Sequence, residues 1–275
     1  MRHVPIALLA AALVAACSGS STDKPVQPQA SAETGAAQTA TATAIATSAA
    51  AAKAVAVNDG NQLYDFEYAY PAQAAAIPML AAWLNADLGA QKRDLTENAR
   101  LGQAEAKRDA RDYYPYGHST KWAVVTDLPG WLSLSAQRWE FTGGAHPNPW
   151  SEGLVWDKVA GKQLKGSDLF ASPAALSAAI RRPFCAELDK QRAARRGEPL
   201  RADARDPFVS CIDPLASTVI LGSGDKAHFT RIGVLVDPYE AGPYAEGNYE
   251  VTLPVTAAVL RAVKPEYRSA FAAGR

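Results

Sequence analysis

The sequence lacks an excess of charge of either sign, because its 275 residues carry 28 lysines and arginines against 28 aspartates and glutamates. Without a basic block it does not predict a nucleic-acid partner. The sequence also lacks a P-loop, the glycine pattern of a dinucleotide-binding fold, a CxxC pair and a solenoid repeat. These absences argue against nucleotide cofactors and clustered cysteine metal sites. We therefore expect no cofactor and no metal.

Long apolar runs are scarce too. Residues 4–16 form an apolar stretch of about 13 residues, which suits a signal peptide and falls short of the roughly 20 needed to cross a bilayer. The stretch ends in Leu13-Val14-Ala15-Ala16-Cys17, which resembles the bacterial lipobox. Residues 1–17 are thus predicted to be a lipoprotein signal peptide with Cys17 as the lipidated residue. The alternative is an ordinary secretory signal.

Residues 18–58 are dominated by Ala, Thr, Ser, Gln and Pro and contain no aromatic residue. Such a segment buries too little apolar area to offset chain entropy, so it is predicted to be a disordered tether. A lipid at Cys17 would place the protein in the cell envelope and make the membrane its first partner. Ser18 after the cysteine favours the outer membrane, with the domain facing the periplasm.

Two cysteines remain, Cys185 and Cys211, in a compartment that permits oxidation. A disulfide between them would close a loop of about 27 residues and stabilise the fold by roughly 3 kcal/mol. The competing interpretation is a catalytic thiol that works with a histidine.

The sequence pattern of the folded part, residues 59–275, predicts an α+β fold in which antiparallel strands dominate. Its element order is β-α-β(n)-α-β(n)-α, with three main helices. The first helix covers part of residues 72–112 and begins near Pro78, with an exposed, charged second half. The second begins at the N-cap Ser172, bends at Pro183 and stops at Gly197. The pattern fits either two lobes, at about 59–125 and 126–275, or one continuous domain.

Two stretches carry a family resemblance. The first is WEFTGGAHPN at residues 139–148, followed by Trp156-Asp157, GKQL at 161–164 and DLF at 168–170. The second is VDPYEAGPYAEG at 236–247, leading into YEVTLP at 249–254. Together they resemble the RsiV-type extracytoplasmic domain family over residues 64–271.

The resemblance implies an α+β fold, an envelope location and, in some members, protein or glycan binding. In that family the domain forms the outer part of a lysozyme-sensing anti-sigma factor, and it also occurs beside the catalytic domain of the peptidoglycan deacetylase PdaC. This sequence shows neither a sigma-binding segment nor the metal motifs of a deacetylase domain. The resemblance thus carries over the module and neither partner's activity.

The loop at residues 142–149 is the sharpest local feature. Gly143 and Gly144 permit unusual backbone conformations, and two prolines then stiffen the chain that holds His146 and Asn148. With Trp150 nearby, these residues suit recognition of a sugar or a protein surface. The alternative is a structural corner in which His146 bonds to backbone.

The loop at residues 238–247 offers Tyr239 and Tyr244 together with two glutamates. If it packs beside the first loop, the two would form one binding site. Otherwise the tyrosines cap the core and the glutamates are solvated.

The function predicted from the sequence is therefore non-catalytic binding of peptidoglycan-related glycan or of a muramidase-like, lysozyme-like protein. Two other classes stay open: a metal-dependent envelope hydrolase, and a structural accessory subunit of an envelope complex. The hydrolase would need His118, His146 and His228 to converge, and their spacing gives no support for that.

Overall fold

A computed structural model of the protein describes residues 52–200, 206 and 208–274. The predicted signal peptide, Cys17 and most of the predicted tether lie outside the described residues. Among the described residues, no helix is both long and apolar enough to span a bilayer. The strands are β1 (Val55–Gly60), β2 (Tyr64–Tyr70), β3 (Tyr116–Asp127), β4 (Trp131–Phe141), β5 (Asn148–Asp157), β6 (Lys162–Leu164), β7 (Thr218–Gly222), β8 (Arg231–Val236) and β9 (Tyr249–Pro254). The helices are α1 (Ala72–Ala75), α2 (Pro78–Arg108), α3 (Pro173–Arg196) and α4 (Ala257–Ala262).

Strands β1 to β6 form one sheet in chain order, and β7 to β9 form a second. All neighbouring strands in the two sheets are antiparallel except β2 and β3, which are parallel. A parallel pair needs a long crossover, and α1 and α2 supply it. The predicted α+β class with mostly antiparallel strands is confirmed.

The first core lies between α2 and one face of the six-stranded sheet. Strand β2 alternates buried tyrosine and phenylalanine with more exposed residues, as a strand with one covered face should. Those buried rings pack with Leu80 and Leu84 of α2. The helix begins at Pro78, as predicted, because proline fits the first helical turn.

The second half of α2 differs from the prediction of an exposed surface. Leu95, Ala99 and Ala106 are buried there. Gly102 is buried too, and a Cβ on it would lie 2.2 Å from the hydroxyl of Tyr116. Small residues along this stripe let the helix approach β3 closely, which its many charges concealed in the sequence.

The second core lies among α3, α4 and the sheet β7–β9, with Phe184, Phe229 and Tyr249 among its buried side chains. Ser172 caps α3 by accepting from the backbone N–H of Ala175, and Gly197 ends it at φ 71°. Pro183 lies inside this helix without ending it. The start of α3 at Ser172 and its end at Gly197 were both predicted.

The predicted disulfide is confirmed. Cys185 on α3 and Cys211 are bonded, with their Cα atoms 5.5 Å apart. The bond attaches the segment after α3 to the middle of that helix, next to the second core. It also leaves neither cysteine as the free thiol that the competing interpretation requires.

Two predicted boundaries are wrong. The tether was expected to reach residue 58, but Val55–Gly60 pairs along its whole length with β2. The proposed division near residue 125 falls inside β3, which pairs with β4 from Gly117 to Asp127. The described residues from 52 to 274 instead belong to one compact unit, because strand pairing outweighs the change in local composition.

The two sheets meet where β5 passes β7. A Cβ on Gly153 would lie 2.9 Å from the carbonyl oxygen of Val219, so glycine permits this close approach. The hydroxyl of Thr218 donates to the carbonyl oxygen of Ser151 at 2.9 Å. The meeting point fixes the first candidate loop relative to the second sheet.

Candidate functional site

The loop at residues 142–147 connects β4 to β5. Gly143 has φ 88°, a conformation that side chains strongly disfavour and glycine adopts freely. Gly144 has no such φ, and both glycines are exposed. The expectation that glycine permits an unusual backbone conformation is therefore met at Gly143 and not at Gly144. Asn148 belongs to β5 and not to the loop.

The two predicted loops meet in the structure. The ring of His146 stacks on Tyr244, with centroids 3.9 Å apart and planes 21° apart. Tyr239 lies against both, at 6.3 Å from His146 and 5.7 Å from Tyr244. We call His146, Tyr239 and Tyr244 the aromatic cluster. It joins residues 93 positions apart in the sequence.

The hydrogen bonds of His146 define its tautomer. Its Nδ1 lies 2.9 Å from the carbonyl oxygen of Pro147, which only accepts, so Nδ1 carries the proton. In the neutral ring Nε2 is then an acceptor, and the hydroxyl of Tyr239 donates to it at 3.3 Å. His146 thus bonds to backbone, as the structural alternative predicted, and also fixes an exposed tyrosine.

Tyr239 combines exposure with backbone strain. Its side chain is 55% exposed, although large apolar rings usually gain by burial. Its φ is 72°, a region that costs a bulky residue of order 1–3 kcal/mol and that is enriched at binding sites. The backbone N–H of Tyr239 donates to the carbonyl of Gly242, which holds the turn.

The rest of the 238–247 loop is held by its carboxylates. Asp237 accepts from both the backbone N–H and the hydroxyl of Ser151, at 2.9 and 2.7 Å. Glu240 accepts from the hydroxyl of Ser217 and from the N–H of Asp237, and burial raises the pKa of Glu240.

Glu246 forms an ion pair with Arg196 at 2.8 Å, and that guanidinium lowers the pKa of Glu246. Neither of the loop's two glutamates is merely solvated, so that alternative is wrong. Most of this motif builds the loop, and its exposed tyrosine is the part left for recognition.

Asn148 and Trp150 lie apart from the aromatic cluster. Both are on β5, where Asn148 pairs with Glu140 and Trp150 with Arg138. Because side chains alternate along a strand, these four residues share the face that α2 covers. Between that face and α2 lies a cavity of about 420 Å³ that includes Trp150 in its lining. We call it the helix–sheet cleft.

The floor of the helix–sheet cleft is a buried ionic network that the sequence analysis missed. Arg138 is 7% exposed and lies 2.9 Å from Asp87 and 2.8 Å from Glu152. The contact to Asp87 is a hydrogen bond, whereas the Nε contact to Glu152 lacks hydrogen-bond geometry. Tyr68 donates to Asp87 at 2.7 Å. The signal available in the sequence was the alternation of polar residues at the end of β4 and at the start of β5, which pair with each other.

His118 is the second buried polar group of the cleft, at 8% exposure. Its Nε2 lies 3.0 Å from the hydroxyl of Thr120, and its ring meets Trp150 edge-on at 6.2 Å. Burial, followed by the charge of Arg138, lowers the pKa of His118 to about 4. The imidazole is therefore neutral at physiological pH.

The three histidines of the folded part lie in three different places. His118 lies in the cleft, His146 in the aromatic cluster, and His228 pairs with Asp225 in a turn. Within the described ranges, no group of three or more His, Cys, Asp or Glu side chains is arranged to hold a metal ion.

Comparison with known proteins gives a partial family match. Residues 57–149 match the family described as "Deacetylase PdaC", which is less than half of the chain. The matched stretch runs from β1 to the start of β5 and includes α2. No curated protein matches at a significant level. The likeness to PdaC is thus confirmed over this stretch, and the likeness to RsiV stays a prediction.

Two solved structures show a distant similarity to this chain. One is a member of the DUF3298 family from Bacteroides fragilis, with 16% identity and a TM-score of 0.48 over 74% of this chain and 89% of that chain. The other is a DUF3298 family protein from Pseudomonas aeruginosa, with 18% identity and a TM-score of 0.46 over 82% of this chain and 98% of that chain.

Proposed function

We propose that this protein is a lipid-anchored recognition module of the cell envelope, and that its domain binds peptidoglycan-related glycan without catalysis. The observation that carries the proposal is the aromatic cluster, in which a histidine fixes a strained, solvent-facing tyrosine. The partial match to the PdaC family supports a link to the glycan of the wall.

The chemistry of the cluster suits a sugar. Tyrosine rings offer apolar faces to the C–H groups of a sugar, and their hydroxyls offer hydrogen bonds at the rim. The three rings are held by stacking and by the bond between Tyr239 and His146. A preorganised surface loses little side-chain entropy on binding, which favours affinity.

Binding of muropeptides tests the glycan proposal. We expect the purified protein to bind soluble muropeptides, and Tyr239→Ala to weaken that binding by about tenfold, the equivalent of 1.4 kcal/mol. Tyr114→Ala is a matched control, because Tyr114 is also a highly exposed tyrosine, at 63%, and is not part of the cluster. Equal losses in the two variants would refute a specific site.

A parallel arm uses lysozyme, because a muramidase-like protein is the other ligand the sequence favours. Retention of lysozyme by the wild type and not by Tyr239→Ala, with no muropeptide binding, would replace the glycan by a protein. Retention of neither ligand would refute the proposed function.

The anchor is proposed from the motif at Cys17 and is tested separately. We expect metabolic labelling with palmitate to mark the wild type and not Cys17→Ser. We also expect the labelled protein to fractionate with the outer membrane, and the variant to be found in the soluble fraction. An unlabelled wild type would favour the ordinary secretory signal.

A further inference from the structure

The helix–sheet cleft is a concave site separate from the aromatic cluster. It has a volume of about 420 Å³, within the range of small-molecule pockets. Its lining combines residues of α2 with residues of β3, β4 and β5. Those that matter for recognition are Asp94, Asn98, His118, Arg138, Glu140 and Trp150.

The charge of the cleft is negative. The carboxylates of Asp87, Asp94 and Glu140 line it, against the single guanidinium of Arg138. Arg138 is already engaged with Asp87. Asp94 and Glu140 are exposed and have no ion-pair partner in the part of the chain that the structure describes. Two unpaired carboxylates at one cavity repel anions and attract a cation.

His118 adds a buried group that faces this cavity without changing its charge. His118 is 8% exposed as a residue, and it lines the cleft. Thr120 occupies Nε2, while no residue of the described ranges bonds Nδ1. Nδ1 is not one of the fully buried atoms that lack a partner, so it reaches the surface and is a candidate contact for a ligand.

The walls suit an organic cation better than a bare ion. Trp150 and Tyr116 line the cleft with aromatic surface, and such rings attract ammonium groups and cover apolar ring faces. Asn98 and Thr142 add uncharged hydrogen-bonding groups at the same cavity. No metal-type cluster is present in the described ranges.

We infer that the helix–sheet cleft binds a small hydroxylated ammonium compound, of which an amino sugar with a free amine is the type. The ammonium group lies between Asp94 and Glu140, and the sugar ring lies against Trp150. Hydroxyl groups of the ligand bond to Asn98 and to Nδ1 of His118.

Titration with glucosamine, followed by NMR of the full-length protein, tests the inference. We expect saturable shifts of the indole N–H signal of Trp150 and of the ring signals of His118. Added salt should weaken the binding, because it screens the attraction between the ammonium group and the carboxylates. Glucose and N-acetylglucosamine lack the ammonium group and should bind at least about tenfold more weakly. Equal binding of glucose, or no saturable shift with glucosamine, would overturn the inference.

Charge removal gives the second arm. The double variant Asp94→Asn with Glu140→Gln should weaken glucosamine binding by at least about tenfold while keeping the folded spectrum, because both side chains are exposed. Glu97→Gln is the control, since Glu97 is an exposed carboxylate of the same helix outside the cleft. Unchanged binding in the double variant would refute the assigned role. Muropeptide binding at the aromatic cluster is unaffected in either case, which separates this test from that of the proposed function.

Discussion

Replacement of Arg138 by methionine tests the ionic floor of the cleft. The guanidinium is 7% exposed and neutralises Asp87 and Glu152, so its loss leaves two carboxylates without a counter-ion. Breaking a buried ion pair on one side costs about 3–5 kcal/mol. Asp87 and Glu152 keep 20% and 38% exposure, and water screens them in part. We therefore expect a loss near the lower end, about 3 kcal/mol.

Urea unfolding at neutral pH measures this loss, and thermal unfolding provides a second readout. A domain of this size changes its Tm by roughly 2–4 °C per kcal/mol, so we expect a decrease of about 6–12 °C. Arg93→Met is the matched control, because Arg93 is an exposed arginine that forms no ion pair in the described ranges. It should change the unfolding free energy by no more than about 0.5 kcal/mol.

A second substitution separates charge from packing. Burial raises the pKa of Glu152 and the charge of Arg138 opposes that rise, so Glu152 becomes costlier to ionise once Arg138 is gone. Glu152→Gln in the Arg138→Met background should therefore restore about 1 kcal/mol. A loss below about 0.5 kcal/mol in Arg138→Met would show that the floor of the cleft is not desolvated.

Three further predictions concern the disulfide, the strained tyrosine and the buried histidine. Serine at both Cys185 and Cys211, which are 26 positions apart, should cost about 3 kcal/mol, and reductant should then have no further effect on the urea midpoint. A wild type insensitive to reductant would contradict this. Tyr239→Gly should relieve the φ of 72° and raise the unfolding free energy by about 1 kcal/mol, while muropeptide binding weakens by about tenfold as in Tyr239→Ala; reduced stability would argue against strain. Burial holds the pKa of His118 at about 4, below its ordinary 6.5. The contribution of the neutral imidazole to the unfolding free energy is therefore complete above pH 6.5 and is lost as the pH falls towards 4. The unfolding free energy should thus decline by up to about 3 kcal/mol in acid, and His118→Gln should flatten that slope in a pH series of urea curves. Identical slopes would refute the buried, neutral state.

Features with local causes were predictable. The start of α2 at Pro78, the cap of α3 at Ser172 and its stop at Gly197 follow from the backbone preferences of single residues. The disulfide followed from the even number of cysteines left after Cys17. The tether boundary failed because β1 gains its stability from pairing with β2, and a partner in another segment leaves no local signal.

The sequence by itself determined the α+β class, most of the secondary-structure elements and the two loops worth inspecting, because alternation, capping residues and turn residues act over a few positions. Only the tertiary structure decided that His146 meets Tyr239 and Tyr244, that Trp150 lines a different site, and that Arg138 lies buried between two carboxylates. These contacts join distant segments through sheet register and packing, and the sequence spacing of the residues does not encode the distances between them.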